Sequence, residues 1–173
     1  MIWLEGMDAS GKTSLADELL RHLNEAGGLD YSVIHSGGPE KHPGEIIERI
    51  RTLPRKGKFL LDRHPIISQH VYARTDKDPP PTTFTNEEVV SFIRTLPEFP
   101  TIVWCCGRAP HAMKEGESAD HAAFLEKKWE TLNTKYAELF GYFNHRGIPY
   151  IAYDFSSPVR GHMVKEIIDR EVS

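Results

Sequence analysis

The stretch that most constrains this chain stands at its start, where the apolar run Ile2-Trp3-Leu4-Glu5 passes into Gly6-Met7-Asp8-Ala9-Ser10-Gly11-Lys12-Thr13. Apolar residues then recur at helical spacing from Lys12 to about Ala26 and stop at Gly27-Gly28, a natural helix terminator. The segment fills every specified position of G-x-x-x-x-G-K-[ST], between a buried strand and a helix N-terminus as that pattern requires. Gly6 and Gly11 let the backbone fold around a β-phosphate, whose charge the loop amides and the helix dipole stabilise. Lys12 reaches the β/γ oxygens and Thr13 is placed to ligate Mg²⁺. The cradle for a triphosphate donor is therefore expected in Asp8, Ala9, Ser10, Gly11, Lys12, Thr13 and Ser14. The competing reading is a glycine-rich turn that binds nothing.

Beyond the loop, strands are expected at Tyr31 to His35, Lys58 to Asp62, Thr101 to Cys106 and Tyr150 to Tyr153. Helices are expected from about Pro43 to Leu53, from Pro65 to about Ala73, and from Thr85 to near Leu96, the last opened by a Thr-x-x-Glu capping box. A long amphipathic helix should follow from Asp120 to about Phe143, and a terminal one from Pro158 to roughly Arg170. Mostly apolar strands alternating with helices imply a parallel sheet covered on both faces, so the fold class is α/β. Pro79-Pro80-Pro81 makes Arg74 to Phe84 an exposed loop. At 173 residues, 39% of them hydrophobic, one domain over 1–173 is the default.

A formal charge of −4 leaves no global footprint for nucleic acid, although a local basic face is compatible with it. Cys105 and Cys106 are adjacent in a strand, where their side chains point to opposite faces, and they read as reduced thiols. No stretch approaches the roughly 20 apolar residues of a membrane span, and the N-terminus lacks a secretory pattern. A cytoplasmic protein without membrane contact is expected, its oligomeric state left open, a homodimer included. The nine histidines show no metal-ligand spacing.

Phosphate loops serve GTPases, motor ATPases and kinases alike. Downstream of the loop there is neither a D-x-x-G switch nor an N-K-x-D guanine reader, and the chain is short for a motor. A kinase needs less: a donor loop, an acceptor pocket and a cationic lid. The polar stretch of about 107–120 carries Arg108, His111 and Lys114, with Arg108 the candidate to reach the phosphates. Asp62, closing an apolar strand, should lie at the carboxyl edge of the sheet beside the loop. It could instead simply cap the helix that starts at Pro65.

Leu4-Glu5-Gly6-Met7-Asp8-Ala9-Ser10-Gly11-Lys12-Thr13 resembles the F-E-G-x-D-G-x-G-K-T opening of thymidylate kinases, and Asp62-Arg63-His64 with Ser68 and Tyr72 resembles their D-R-Y/H segment. The resemblance covers most of the chain. It implies a P-loop nucleoside triphosphate hydrolase fold with a five-stranded parallel sheet and a short lid, ATP and Mg²⁺ as donor and cofactor, Asp62 near metal or acceptor, and Arg63 on the phosphate in transfer. It also implies that adenine lies near Asp154 and Phe155. Where thymidylate kinases carry R-E-P-G-G, this chain has His35-Ser36-Gly37-Gly38-Pro39-Glu40, without the arginine. Together with Asp62-Arg63-His64-Pro65, this resembles a bacteriophage branch whose members phosphorylate the hydroxymethyl group of 5-hydroxymethyluracil within DNA.

An alcohol acceptor needs a carboxylate to take its proton, which Asp62 or Asp8 can supply, with Glu5 nearby; a monophosphate needs cations instead. The expected acceptor is therefore DNA containing 5-hydroxymethyluracil, with a deoxynucleoside monophosphate as the alternative and a non-catalytic ATP-binding module as the third reading. Five positive charges between Arg49 and Lys58 could contact the polymer or could form an ordinary solvated helix end. Tyr72 or Phe84 could stack on an extruded base or could belong to the core.

Overall fold

The computed structural model describes residues 1–7, 10–26, 28–36, 40, 42–73, 82–107 and 119–172, with backbone only for 26 and 119–125. Five strands form one parallel sheet: β1 (Ile2–Gly6), β2 (Ser32–His35), β3 (Phe59–Asp62), β4 (Thr101–Cys105) and β5 (Ile151–Tyr153), in the order β2-β3-β1-β4-β5. The connecting helices are α1 (Lys12–Arg21), α2 (Glu45–Thr52), α3 (Pro65–Tyr72), α4 (Asn86–Arg94), α5 (Ala119–His145) and α6 (Arg160–Val172).

Strand residues alternate between two cores. Ile2, Leu4, Leu60, Val103 and Tyr153 face Leu15, Leu19 and Ile167 of α1 and α6. Trp3, Leu61 and Ile102 face the other side, against Ile46 of α2, Ile67 of α3, Val90 of α4 and Phe140 of α5. With both faces covered, the sheet buries most side chains of β1, β3 and β4, which is why these strands read as apolar runs, while the edge strand β2 stays partly exposed. Helices α1 and α3, which follow the neighbouring strands β1 and β3, lie on opposite faces, so a crevice opens at the carboxyl ends of these two strands.

Most expected elements form within a residue or two of their expected bounds. The helix expected to run to Ala26 ends as regular α-helix at Arg21 and continues as a π-helical turn, His22–Ala26. In that turn the Asn24 amide bonds both backbone groups of Tyr31, at 3.0 and 2.7 Å, substituting for a strand neighbour. The terminal helix starts at Arg160 rather than Pro158, because Asp154 Oδ1 accepts from Ser156 N–H and Oγ–H and holds the chain in a turn first. The capping box at Thr85 and Glu88 is formed from both sides. Cys105 and Cys106 are both free thiols, the first buried and the second half-buried. Among the described residues no helix is long and apolar enough to cross a membrane.

Candidate active site at the carboxyl edge of the sheet

The phosphate loop leaves β1 through Gly6, at φ 138°, where an added Cβ would stand 2.4 Å from the Cys105 carbonyl oxygen. Only glycine fits so close to β4. Gly11, at φ 84°, precedes α1, and a Cβ there would meet the Phe155 ring at 2.8 Å. Ser10 Oγ–H donates to the Met7 carbonyl at 2.7 Å and closes the described end of the turn. Lys12 is buried, with its ammonium donating to the carbonyls of Gly6, at 3.0 Å, and Met7. Thr13 and Ser14 are exposed on the first turn of α1. Asp8, Ala9 and Arg108, with nearly all of the expected lid, lie outside the described residues.

Gly11, Lys12, Thr13, Ser14, Asp62 and Arg63 line one cleft of about 490 Å³, together with Phe155 and Arg160. The loop and the β3 segment, 50 residues apart along the chain, are thus brought together as the sequence implies. Asp62 sits at the end of β3, opposite His35 of β2 in register. Its Oδ2 lies 3.2 Å from His35 Nδ1, while Oδ1 is buried and has no hydrogen-bond partner among the described residues. Asp62 and Thr13 line the same cleft, a carboxylate and a hydroxyl of the kind that Mg²⁺ takes as its one or two protein ligands. The helix-cap reading of Asp62 fails: the N-cap of α3 is His64, whose Nδ1 accepts from Ile66 N–H at 3.2 Å.

Arg63 has φ 67°, the only positive value at a non-glycine among the described residues. Its N–H donates to Leu4 O at 2.9 Å and its Nε–H to Gly6 O at 3.2 Å. The guanidinium carbon lies 5.9 Å from the Tyr72 ring centroid, so Tyr72 supports the arginine. Phe84 packs against the core, and its carbonyl accepts from His70 Nδ1–H at 2.6 Å.

Glu5 is wholly buried, and its Oε1 accepts from the His64 N–H. Burial pushes its carboxyl up to about 8, against the lowering by the His64 N–H, Arg63 and Lys12, so at neutral pH it is mainly protonated. Glu5 is therefore neither a solvent-facing carboxylate nor a proton acceptor for substrate. His64 is sealed between Trp3, at 4.0 Å between ring centroids, and Phe92, at 5.1 Å. The same burial holds its imidazole down to about 3, which keeps it neutral.

Three residues here escape sequence reasoning. His35 is visible as a partner of Asp62 only once β2 and β3 are in register. Glu40 accepts from Gly44 N–H, Thr82 N–H, Thr82 Oγ–H and the Gln69 amide, and so joins the β2–α2 loop, α3 and the residues before α4. Gly107 lets Phe155 pack across the loop, since a Cβ there would lie 2.7 Å from the ring and 2.6 Å from Asp154 Oδ1. The basic run does not form one strip. Arg49 pairs with Glu45 and reaches back to Ser36 O at 3.5 Å, whereas exposed Arg55, Lys56 and Lys58 precede β3 at the opposite edge of the sheet from Asp62.

Among solved structures, the chain is similar to the YorR protein from Bacillus subtilis, determined in complex with phosphorylated GDP, at a TM-score of 0.69 and 19% identity over 98% of this chain and 94% of that one. It is also similar to deoxyadenosine kinase from M. mycoides with bound dATP, at a TM-score of 0.50 and 14% identity over 99% of each chain. No family model matches the sequence, and no curated protein matches it. The parallel sheet, the phosphate loop after β1 and these end-to-end likenesses identify the fold as that of the P-loop nucleoside triphosphate hydrolases, in the form that also builds a deoxyadenosine kinase.

Proposed function

We propose that this chain is a kinase that moves the γ-phosphoryl group of ATP, with Mg²⁺, onto an alcohol carried by a nucleoside unit, specifically the hydroxymethyl oxygen of 5-hydroxymethyluracil in DNA. The observation that carries the alcohol reading is Asp62: a carboxylate in one cleft with Lys12, Thr13 and Arg63, its Oδ2 engaged by His35 and its Oδ1 without a partner among the described residues. A carboxylate at that place can take the proton of an alcohol or ligate a metal ion. The nucleotides bound in the YorR and deoxyadenosine kinase structures support a nucleoside-type substrate, and the 5-hydroxymethyluracil assignment rests on the likeness of His35-Ser36-Gly37-Gly38-Pro39 and Asp62-Arg63-His64-Pro65 to the phage branch.

In this reading the loop amides and Lys12 hold the β- and γ-phosphates, and Arg63 faces the charge that develops on the transferred group. Asp62 or Asp8 accepts the proton as the alcohol oxygen bonds to Pγ and the bond from Pγ to the β,γ-bridging oxygen breaks, releasing ADP. Thr13 and Asp62 would hold Mg²⁺, which shields the phosphate charges when bound. Arg108, in the lid expected over about 107–120, would close on the phosphates. The whole of 1–173 works as one domain in the cytoplasm, the host's if the chain is phage-encoded.

A second reading, a deoxynucleoside monophosphate kinase, is favoured by Arg49, which brings a cation to Ser36 where the arginine of the thymidylate-kinase segment is missing. Incubation with labelled ATP and, in parallel, 5-hydroxymethyluracil DNA, unmodified DNA and each deoxynucleoside monophosphate separates the readings. Label on the modified DNA alone is expected, and Lys12→Ala should abolish it. Label on a monophosphate but not on modified DNA would overturn the first reading in favour of the second, and ATP binding with no transfer to any acceptor would leave the sensor module.

A further inference from the structure

We propose that Glu5 is the positioning residue of the corner between β3 and α3: its buried carboxyl holds the left-handed turn at Arg63, and through that turn sets how Arg63 and Asp62 face the phosphate loop. The kinetic side of this inference rests on the kinase reading above; the geometric side does not.

Three consecutive residues of β1 accept hydrogen bonds from the corner. Leu4 O takes the Arg63 N–H, Glu5 Oε1 takes the His64 N–H, and Gly6 O takes the Arg63 Nε–H. A non-glycine residue at φ 67° persists only where its surroundings over-determine it, and these bonds do so. Of the three acceptors, Glu5 alone is a side chain, hence the one that a substitution can remove. Its other oxygen accepts from Ser68 Oγ–H at 3.5 Å, so one carboxyl ties β1, the corner and α3 together. Without it, the His64 N–H would be left buried beside an apolar ring stack of Trp3 and Phe92 with no acceptor. Since no part of Glu5 is exposed, it acts through Arg63 and Asp62 and not on substrate.

The left-handed turn also explains the direction of the arginine. Asp62 closes β3 in regular register with β1 and β2, and His64 already caps α3. The whole change of direction between strand and helix falls on Arg63, which swings its guanidinium back toward the carbonyl of Gly6, the first residue of the phosphate loop. Donor loop and acceptor carboxylate are therefore locked in register by a group that touches neither phosphate nor acceptor.

The test uses the full chain carrying Glu5→Ala, Glu5→Gln, Arg63→Ala and the double substitution Glu5→Ala/Arg63→Ala. The first readout needs no substrate: the ¹⁵N-resolved Arg63 Nε–H resonance, assigned by its disappearance in Arg63→Ala. It should exchange slowly with solvent in the wild type and in Glu5→Gln, which keeps an acceptor oxygen, and be lost to fast exchange in Glu5→Ala. The second is steady-state kinetics with whichever acceptor the wild type phosphorylates. Glu5→Ala should lower kcat on the order of 10²-fold, as expected for a misplaced catalytic group, with the KM for ATP unchanged and with partial rescue in Glu5→Gln. In the Arg63→Ala background it should add nothing further. A protected Nε–H in Glu5→Ala, or a loss that multiplies in full with that of Arg63→Ala, would overturn the proposal. Should Glu5→Ala not fold, Glu5→Asp, one methylene too short to reach His64, is read in the same two ways. A wild type that phosphorylates no acceptor would sink the kinase reading, while the Nε–H result would still decide this one.

Discussion

Burial sets Glu5 and His64 to titrate in opposite senses, and the stability of the protein should record both. Glu5 holds its proton to about 8, whereas in the unfolded chain the carboxyl loses it near 4.5. As pH rises from 4.5 to 8 the unfolded state is therefore the one that releases the proton freely, and stability falls. His64 stays neutral down to about 3, whereas the unfolded imidazole binds a proton near 6.5, so stability is lost as pH falls through that interval. Each slope is about 1.4 kcal/mol per pH unit. Between 4.5 and 6.5 the two cancel; from 6.5 to 8 Glu5 acts alone, for a loss of about 2 kcal/mol, and from 4.5 down to 3 His64 alone removes a similar amount. Urea unfolding at half-unit steps of pH, taken as the difference between wild type and variant, cancels the contribution of every other titrating group. The wild-type stability minus that of Glu5→Gln should fall steadily across 4.5 to 8. The difference against His64→Asn, which keeps a helix-capping oxygen, should instead rise with pH up to 6.5. A difference against Glu5→Gln that stays level between 6.5 and 8 would mean that Glu5 is ionised in the fold, and the account of a sealed, protonated carboxyl would be wrong.

Asp62→Asn should cut kcat by about 10²-fold or more if Asp62 accepts the alcohol proton, measured by transfer from labelled ATP; a rate close to wild type would confine Asp62 to ordering the corner with His35. Gly107→Ala drives a methyl group to within 2.7 Å of the Phe155 ring. It should cost about 1–3 kcal/mol in unfolding experiments, as overpacking does, and raise the KM for ATP by displacing the ring from Gly11. An unchanged KM would show that Phe155 has no part in the donor site.

The sheet and the donor side were legible because their signals are local. A phosphate loop is eight contiguous residues between a strand and a helix, and its chemistry resides in backbone amides, one lysine and one threonine, so Lys12 and Thr13 could be placed without any tertiary contact. The strands announced themselves as apolar runs because both faces of a parallel sheet are covered, and the Thr85 capping box lies within four residues. The acceptor side was only half legible. Asp62 and Arg63 were found by motif, but Asp62 as a cap of α3 was an equally local reading, and only the observed His64 cap removes it. The basic run from Arg49 to Lys58 looked like one surface because sequence distance says nothing about which end of a strand a residue lies on. Helix α2 carries the chain from one edge of the sheet to the other, and the run divides along with it.

The sequence by itself determined the α/β class, the succession of strands and helices along the chain and the phosphate loop, because each depends on periodicity or on a few adjacent residues. Tertiary structure decided what the carboxylates are for. Glu5 and Asp62 are both acidic residues at strand ends, yet one is sealed beneath the corner and held protonated, and the other is half-buried, lines the cleft and pairs with His35. That difference arises from desolvation and from register between strands far apart in sequence, and neither quantity exists until the sheet has formed.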